Sequence, residues 1–448
     1  MAEAQLLERC RDAVDLALRH GADQAEAYGQ SIDSINSTIE KNDLQISKSQ
    51  FETSIGIRAF VGRQVGFAST NDLVQLEGAC RDAVGLANAS PEDPHNVLPE
   101  AQDAQPVDGL FDPSAASFQA ADAVRQTADM LELAERIDRR VILNDAWFDA
   151  GTSTVALANS LGLSVEERRC LFTYGALATA RDGDLVSSFD FQFDATRQVD
   201  RIDIEPPIRR VCESALASLG AEPGVSFKGP VVLSPMAASE ILIGTLLFQI
   251  NARNGLRGRS RWKDAIGKAV ASSAITLVDD GRLPGGIATA SFDREGVPHR
   301  ELTLIRDGVL QSFLHNAYSA SAAGSRNTAH ATGSSRSVPG IGPTNLTLLP
   351  GKAPFEDLIS EIDQGLLVRR FSGNADPISG DFSGAVKAAH LIERGKLTRA
   401  VTGTLIAGNL FEVLKTIPVL SSETERVFNL TLPYVRLEDV SVTASGSS

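Results

Sequence analysis

Histidine and cysteine are scarce in this chain, which holds 6 His and 4 Cys among 448 residues. These two side chains, together with carboxylates, supply most zinc ligands in proteins. The sequence contains no HExxH, HExxxH or CxxC motif, and no two of its histidines lie within one helical turn of each other. The spacing of these residues therefore gives no support for a metal site in this chain.

The few cysteines also exclude a disulfide-stabilised fold, because Cys10, Cys80, Cys170 and Cys212 lie far apart along the chain. A free cysteine behaves as a small hydrophobic side chain. We therefore expect all four to be buried and unpaired.

Long hydrophobic runs are absent as well. The longest covers residues 241–248, whereas a helix needs about 20 apolar residues to cross a membrane. The first five residues are acidic and lead directly into an amphipathic pattern, unlike the basic and apolar regions of a signal peptide. We expect a cytoplasmic protein with reduced thiols and no membrane contact.

Positive charge is outnumbered, since 42 Lys and Arg face 57 Asp and Glu and leave a net charge of −15. Such a surface repels phosphate backbones, so we expect no nucleic-acid partner. The hydrophobic share of 43% is ordinary for a folded protein. The length predicts two or three domains at roughly 150 residues each.

The N-terminal half mixes helices with alternating strands. Leu6, Cys10 and Val14 recur at helical spacing, and residues 35–39 and 55–67 alternate between apolar and polar side chains around a turn at 62–64. Further helices are predicted at about 72–88, 112–138 and 204–219, and further strands between 141 and 197. The first domain is therefore predicted as an α/β domain over residues 1–220 with an antiparallel β-meander.

A turn at 221–224 marks the domain boundary, and residues 225–448 are predicted as a β-rich sandwich or barrel-like domain, giving an α+β protein. A buried strand at 231–233 precedes a helix at about 235–251, and Asp307-Gly308 predicts a hairpin. Another helix is predicted at about 355–363, and the remaining predicted strands cover 302–306, 309–313, 346–349, 366–370, 386–392, 397–404 and 427–432.

Two segments rich in small and polar residues are candidates for a peptide-binding cleft. Glycines concentrate at 372–384, and residues 327–335 are similar, with an arginine on either side. Each could admit a partner backbone or could be an ordinary surface loop. The candidate residues are Arg326, Arg336, Gly373, Asn374, Ser379, Gly380, Asp381 and Ser383.

Seven motifs in the same order along nearly the whole chain resemble the TldD/PmbA family, formerly described as modulators of DNA gyrase. The LPGG at 283–286 and the IAGNL at 406–410 are similar to the PmbA (TldE) branch. The motifs are GRQVGFAST at 62–70, DDGRLPGG at 279–286, FDREGVP at 292–298, DGVL at 307–310, LHNAY at 314–318, SGDFS at 379–383 and IAGNL at 406–410.

The resemblance implies a zinc site in the TldD branch, made by HExxxH on the helix after the 231–233 strand and by a later cysteine. In this chain Ile243 and Phe248 stand at the two histidine positions, and Gly244 stands at the glutamate position. No cysteine follows Cys212. Neither an aliphatic nor an aromatic hydrocarbon side chain binds zinc, so we expect no metal and no catalytic residue here.

The family resemblance therefore implies a non-catalytic subunit of a heterodimeric zinc protease that acts on unfolded peptides or peptide precursors. Zinc would be in a TldD-type partner, and this chain would shape the substrate channel. His315 and Tyr318 join the cleft candidates in this hypothesis.

Two other hypotheses remain open. The chain could be a self-sufficient enzyme without zinc, with His315, Tyr318 and Asp381 as acid or base groups. It could instead be a non-proteolytic binding protein that forms a homodimer.

Overall fold

A computed structural model describes residues 5–444 of the chain. The residues on which the signal-peptide prediction rests lie mostly outside this range. Residues 24–196 contribute a seven-stranded sheet, and residues 222–444 contribute a fourteen-stranded sheet and a small two-stranded one. The predicted α+β class, with an N-terminal α/β part and a β-rich C-terminal part, is confirmed. The exact division into 1–220 and 225–448 stays a prediction.

The first sheet is antiparallel throughout and is covered by helices on one face. Its strand order is β3-β2-β1-β4-β5-β6, with β7 also paired to β5. The strands are β1 (Gln24–Glu40), β2 (Asp43–Val61), β3 (Gln64–Thr70), β4 (Val141–Asn159), β5 (Ser164–Asp182), β6 (Leu185–Val186) and β7 (Asp190–Thr196). The helices are α1 (Leu6–Arg19), α2 (Leu76–Ala89), α3 (Ala120–Ile137) and α4 (Glu205–Ala217).

Small residues allow these helices to pack closely on the sheet. Cys10, Ala13 and Ala17 of α1 are buried in one cluster with Ala27 and Ile57 of the strands. The alternation of apolar side chains places every second strand residue on this face. The same pattern under α3 and α4 forms a second core, so the helical face is buried along the whole sheet.

The C-terminal half is built around a mixed sheet. Strands β13 (Ala331–Thr332) and β14 (Gly340–Ile341) form the separate two-stranded sheet. The strands of the mixed sheet are β8 (Glu222–Pro223), β9 (Phe227–Leu233), β10 (Leu277–Asp280), β11 (Glu301–Arg306), β12 (Val309–Leu310), β15 (Leu346–Leu348), β16 (Gln364–Val368), β17 (Arg370–Ala375), β18 (Asp381–Lys387), β19 (Ala389–Glu393), β20 (Lys396–Thr402), β21 (Thr404–Asn409), β22 (Leu420–Val427) and β23 (Leu430–Ala444). The helices of the C-terminal half are α5 (Pro235–Ala238), α6 (Gly244–Ile250), α7 (Ala252–Leu256), α8 (Ala317–Ala323), α9 (Phe355–Ser360) and α10 (Leu410–Thr416).

The centre of this half is the segment from α5 to α6, which packs into the largest hydrophobic core. β9 lies in the middle of the sheet, antiparallel to β23 and parallel to β16. Strand β9 leads directly into α5, whose first turn is capped when the Ser234 hydroxyl accepts a hydrogen bond from the Ala237 N–H. Ile241, Leu246 and Ile250 are buried against both β9 and the strands beyond it.

Two predicted helices are interrupted in the structure. The helix predicted over 112–138 is a 3₁₀ turn at Pro113–Ser117 followed by α3, because a capping box between Gln119 and Asp122 begins a new helix. The helix predicted over 235–251 contains a π-helical turn at Ser239–Ile243. Helices α7, α8 and α10 were not predicted, and α8 has little hydrophobic periodicity.

Several local predictions are confirmed. Asp307 and Gly308 both have positive φ, at 47° and 78°, and join β11 to β12 in a two-residue hairpin. Cys10, Cys80, Cys170 and Cys212 are all free and buried. Burial raises the pKa of the Cys10 thiol to about 12. Among the described residues, no helix combines the length and the apolar character needed to cross a membrane.

Candidate functional site

The helix on which the family resemblance places the metal positions is a core element in this chain. Ile243 is 3% exposed and belongs to the largest hydrophobic cluster. Gly244 is exposed, begins α6, and has no atom within 4 Å of where a Cβ would stand. Phe248 is half-buried on the same helix. These three positions offer no nitrogen, sulfur or carboxylate ligand.

The side chains around this helix do not compensate for the missing ligands. The carboxylate of Glu240 accepts hydrogen bonds from Arg370 Nε at 2.7 Å and from the Phe371 N–H at 2.5 Å. Burial raises the pKa of Glu240, and the Arg370 charge opposes that rise. Residues 5–444 contain no group of three or more His, Cys, Asp and Glu side chains placed to hold a metal. The donor set therefore does not fit zinc.

A buried glutamine connects the end of α6 to its surroundings. Gln249 is fully buried, and its Nε2 donates to the Pro377 carbonyl at 2.6 Å. Its Oε1 accepts from the Arg261 N–H at 2.7 Å and from the Ser260 hydroxyl at 3.1 Å. A buried amide needs hydrogen-bond partners, and these bonds occupy both lone pairs of the oxygen and one of the two N–H donors. The C-terminal end of α6 is thus fixed to the 376–380 turn.

The glycine-rich segment 372–384 is a β-hairpin and not a loop, which corrects one of the two interpretations offered for it. Strands β17 and β18 pair from Arg370 with Lys387 to Ala375 with Phe382. Gly373 lies directly opposite Gly384, and a Cβ on Gly373 would stand 2.5 Å from the Gly384 Cα. The close backbone approach that these glycines permit is therefore internal to the hairpin.

The second strand of this hairpin joins two family motifs. Asp381 to Ser383 on β18 pairs with 407–409 on β21, so SGDFS and IAGNL lie side by side. Asp381 accepts a hydrogen bond from Asn409 Nδ2 at 2.8 Å, and its N–H donates to the Ser379 hydroxyl at 3.2 Å. The Asn409 amide lowers the pKa of the exposed Asp381 carboxyl. Gly380 accepts from the Leu410 N–H at 2.7 Å, and Asn374 pairs with Ser383.

His315 is buried near the C-terminal end of α6. Its neighbour Leu314 donates a backbone hydrogen bond to the Ile250 carbonyl at 2.9 Å. The imidazole Nδ1 is 3.2 Å from the Ser319 hydroxyl, and the residue is 4% exposed. Burial lowers the pKa of His315 to about 4. The side chain also lines a cavity of about 470 Å³ between α7 and α8.

The remaining cleft candidates lie apart from one another. Tyr318 donates its hydroxyl hydrogen to Asp93 at 2.8 Å, which ties α8 to the N-terminal half. Arg326 is exposed and lies three residues after the end of α8. Arg336 forms an exposed ion pair with Glu52 of β2. The structure therefore groups His315, Tyr318 and Arg326 near α8, the hairpin residues near Asn409, and Arg336 at the junction between the halves.

Sequence reasoning missed a second cluster, in which distant histidines meet around Asp279 of the DDG motif. His330 Nε2 is 2.9 Å from Asp279 Oδ2, and the same carboxylate accepts from the Thr344 N–H. Burial and the charge of the nearby His330 together lower the pKa of His299 to about 3. No spacing rule reveals this cluster, because its members come from four separate segments.

We predict that acid weakens the fold partly through His315. Its pKa is near 4 in the folded protein and near 6.5 when unfolded, so only the unfolded chain binds a proton between these values. The contribution of His315 to the free energy of unfolding is therefore fully present above about pH 6.5. It decreases by roughly 3 kcal/mol as the pH falls to about 4. Urea unfolding of wild type and His315→Gln at several pH values measures this. An equally steep pH dependence in the variant would contradict it.

A buried network of four charges joins the two halves and was also missed. Arg58 on β2 is 2.6 Å from Glu26 Oε2 and 2.8 Å from Glu295 Oε1, and Arg294 is 3.0 Å from Glu26 Oε1. All four residues are at least nine-tenths buried. Burial opposes the ionisation of Glu26, but Arg58 and Arg294 outweigh it and lower the pKa of that carboxyl. Glu295 also accepts from the Ala317 N–H at 2.8 Å, at the start of α8.

Models of one family match three consecutive parts of the chain. They are described as PmbA/TldA metallopeptidase domain 1 at residues 25–87, the central domain at 116–219 and the C-terminal domain at 226–444. The matched segments contain the degenerate helix, the hairpin and all four members of the buried network. The family model therefore spans most of both halves.

Individual relatives agree with these matches. The Metalloprotease PmbA homolog of Haemophilus influenzae is 24% identical, over 99% of this chain and 97% of its own length. The Metalloprotease TldD homolog of the same organism is 25% identical, over 92% of this chain and 88% of its own. The crystal structure of TldE from Thermococcus kodakarensis superposes with a TM-score of 0.90 at 23% identity, over 97% of this chain and 100% of that one. The chain belongs to the TldD/PmbA family of metallopeptidases.

Proposed function

We propose that this chain is the non-catalytic, TldE-type subunit of a two-subunit zinc peptidase. In this proposal a TldD-type partner supplies the zinc and its ligands, and the substrate is an unfolded peptide or a peptide precursor. This chain shapes the substrate channel and supports the partner. Its location would be cytoplasmic, and nucleic acid would not be a ligand.

The observation that carries the proposal is the chemistry of the degenerate helix. A family of metallopeptidases needs metal ligands, but Ile243 and Phe248 are hydrocarbon side chains and Gly244 has none. Glu240, the carboxylate nearest in sequence, is already bound to Arg370 and to a backbone N–H. A chain that keeps the family fold without these donors fits a supporting subunit better than an independent hydrolase.

A free sheet edge supports association with another chain. Strand β3 pairs with β2 only over Ile55–Val61, so among the described residues the outer edge of β2 at 43–54 has no paired strand. Phe51 on this segment is 65% exposed, and Leu44 is 45% exposed. Long, exposed edges with apolar side chains favour pairing with another polypeptide.

Metal analysis and a cleavage assay test the proposal together. We expect the purified chain to hold far less than one equivalent of zinc and to leave an unfolded substrate, such as β-casein, intact. Adding a TldD-type partner should produce cleavage that a chelator abolishes. The partner alone is the matched control and should be less active than the pair.

Stoichiometric zinc together with peptidase activity in the chain alone would overturn this proposal. Cleavage without zinc that is lost in a folded His315→Ala variant would instead favour the self-sufficient enzyme. A stable homodimer in solution that does not associate with the partner and does not affect cleavage would favour the binding-protein hypothesis.

A further inference from the structure

One short segment of this acidic chain is strongly basic. Residues 253–268 contain six Lys and Arg side chains and one Asp. The other residues together carry a net charge of about −20, obtained by removing this segment's charge of +5 from the total of −15. The basic segment starts within α7 and immediately follows α6, the helix of the degenerate metal positions.

The cations of the basic segment are exposed to solvent, although the charge of Arg261, after the hydrogen bonds from Asn409 and Ser379, also lowers the pKa of the Asp381 carboxyl. All six side chains are exposed, and among the described residues none forms an ion pair. They are Arg253, Arg257, Arg259, Arg261, Lys263 and Lys268. Elsewhere in the protein, many exposed arginines are paired, for example Arg209 with Glu205 and Arg399 with Glu222. An unneutralised cluster of this kind attracts an external anion.

The basic segment borders the cavity that contains His315. Leu256 and Ile266, which are 45% and 51% exposed, line this cavity of about 470 Å³ together with Phe313 and Lys263. Asp264 also lines the cavity, so the exposed cations stand beside an opening whose wall is partly apolar and carries one carboxylate. A ligand that fits both features carries negative charges next to an apolar group.

We propose that the basic segment and its cavity bind an acidic stretch of polypeptide, with carboxylates on the cations and one apolar side chain in the cavity. The proposal rests on the proposed function in that it takes the ligand to be a peptide. It goes further by assigning a charge preference and a place of binding on this subunit.

A peptide fits this surface better than a nucleic acid does. Single-stranded nucleic acids bind through exposed aromatic rings as well as cations. The aromatic residue of the basic segment, Trp262, is 5% exposed, and Arg261 lies over the Phe411 ring at 4.4 Å. A duplex would bring many phosphates close to a chain whose other residues are strongly acidic.

Fluorescence anisotropy with the isolated chain tests the proposal. The probe is a fluorescein-labelled peptide of sequence GEELFEEG, and the comparison peptides are GQQLFQQG and GKKLFKKG. We expect binding of the acidic probe only, and weaker binding as salt rises from about 50 mM to about 500 mM. The variant R257Q/R259Q/K263Q should weaken binding by about tenfold, since each exposed ion pair contributes a fraction of the total.

A matched variant controls for loss of charge alone. R139Q/R201Q/K228Q also removes three exposed cations that lie outside the basic segment and form no ion pair among the described residues, and it should bind the probe like wild type. Equal binding by both triple variants, or equal binding of the three peptides, would overturn the proposal. So would tighter binding of a twelve-nucleotide oligothymidylate, which would assign the surface to nucleic acid.

This experiment uses neither zinc nor the partner subunit. Its result is therefore independent of the metal and cleavage assays that test the proposed function. If a zinc-free chain shows no charge-selective binding, only the proposal of an acidic peptide ligand is overturned.

Discussion

Replacing Arg58 with methionine should lower the free energy of unfolding by about 3–5 kcal/mol. Arg58 is the cation that contacts both Glu26 and Glu295, and its side chain is 9% exposed. Without Arg58, Glu295 still accepts the hydrogen bond from the Ala317 N–H but loses its cationic partner. An unpaired carboxylate in the interior retains its full desolvation cost, which explains the size of the effect.

Urea unfolding of wild type and Arg58→Met measures this loss. Arg336→Met is the matched control, because the Arg336–Glu52 pair also joins β2 to the C-terminal half but is exposed. That control should cost less than about 1 kcal/mol. The double variant Arg58→Met/Glu295→Gln should lose less than the sum of its single changes, since it removes the charge that the first change isolates. Equal losses in Arg58→Met and Arg336→Met would contradict the network's role.

The buried network illustrates what a single sequence leaves undetermined. FDREGVP at 292–298 was visible only as a family motif, and nothing in it indicates that Arg294 and Glu295 lie against β1 and β2. Their partners Glu26 and Arg58 are more than 200 residues away and sit in ordinary alternating strands. Charged residues on a strand predict a solvated face, and only the packing of the two halves reverses that expectation.

Local signals were more informative where the chain itself determines the structure. The helical spacing of Leu6, Cys10 and Val14 predicted α1, and Asp307-Gly308 predicted a hairpin whose two φ angles are indeed positive. Helix α8 had readable end signals, a capping box between Asn316 and Ser319 and a left-handed Gly324, but it lacks an apolar stripe. A search based on hydrophobic periodicity therefore passes over it.

Candidate site residues could be named from the sequence, but their arrangement in space could not be predicted from it. The degenerate positions Ile243 and Phe248 could be located from the sequence because two motifs bracket them without a gap. The π-helical turn before Gly244 could not be located in this way, because no residue signature used for the sequence predictions indicates a π-helix. The cations of the basic segment can be counted in the sequence, but the negative net charge of the whole chain does not reveal them.

The second large effect is expected at Gly373, where alanine should destabilise the protein by about 1–3 kcal/mol through overpacking. Its Cβ would stand 2.4 Å from the Ser383 carbonyl oxygen and 2.6 Å from the tip of the Phe371 ring. Both neighbours are constrained, because Ser383 belongs to the paired strand β18 and Phe371 is 6% exposed. Relief requires the two strands to separate, which also disturbs the Asp381–Asn409 contact beside them.

Gly244→Ala is the matched control, because Gly244 is another glycine singled out from the sequence. It adds a methyl group to a helix where nothing lies within 4 Å of the new atom, so it should stabilise the protein by about 0.5–1 kcal/mol. Urea unfolding distinguishes the two changes by their opposite signs. If Gly373 served a partner's backbone and not its own hairpin, Gly373→Ala would leave unfolding unchanged and weaken only association. That outcome would restore the cleft interpretation of this glycine, whereas a loss of stability assigns it to the fold that positions Asp381.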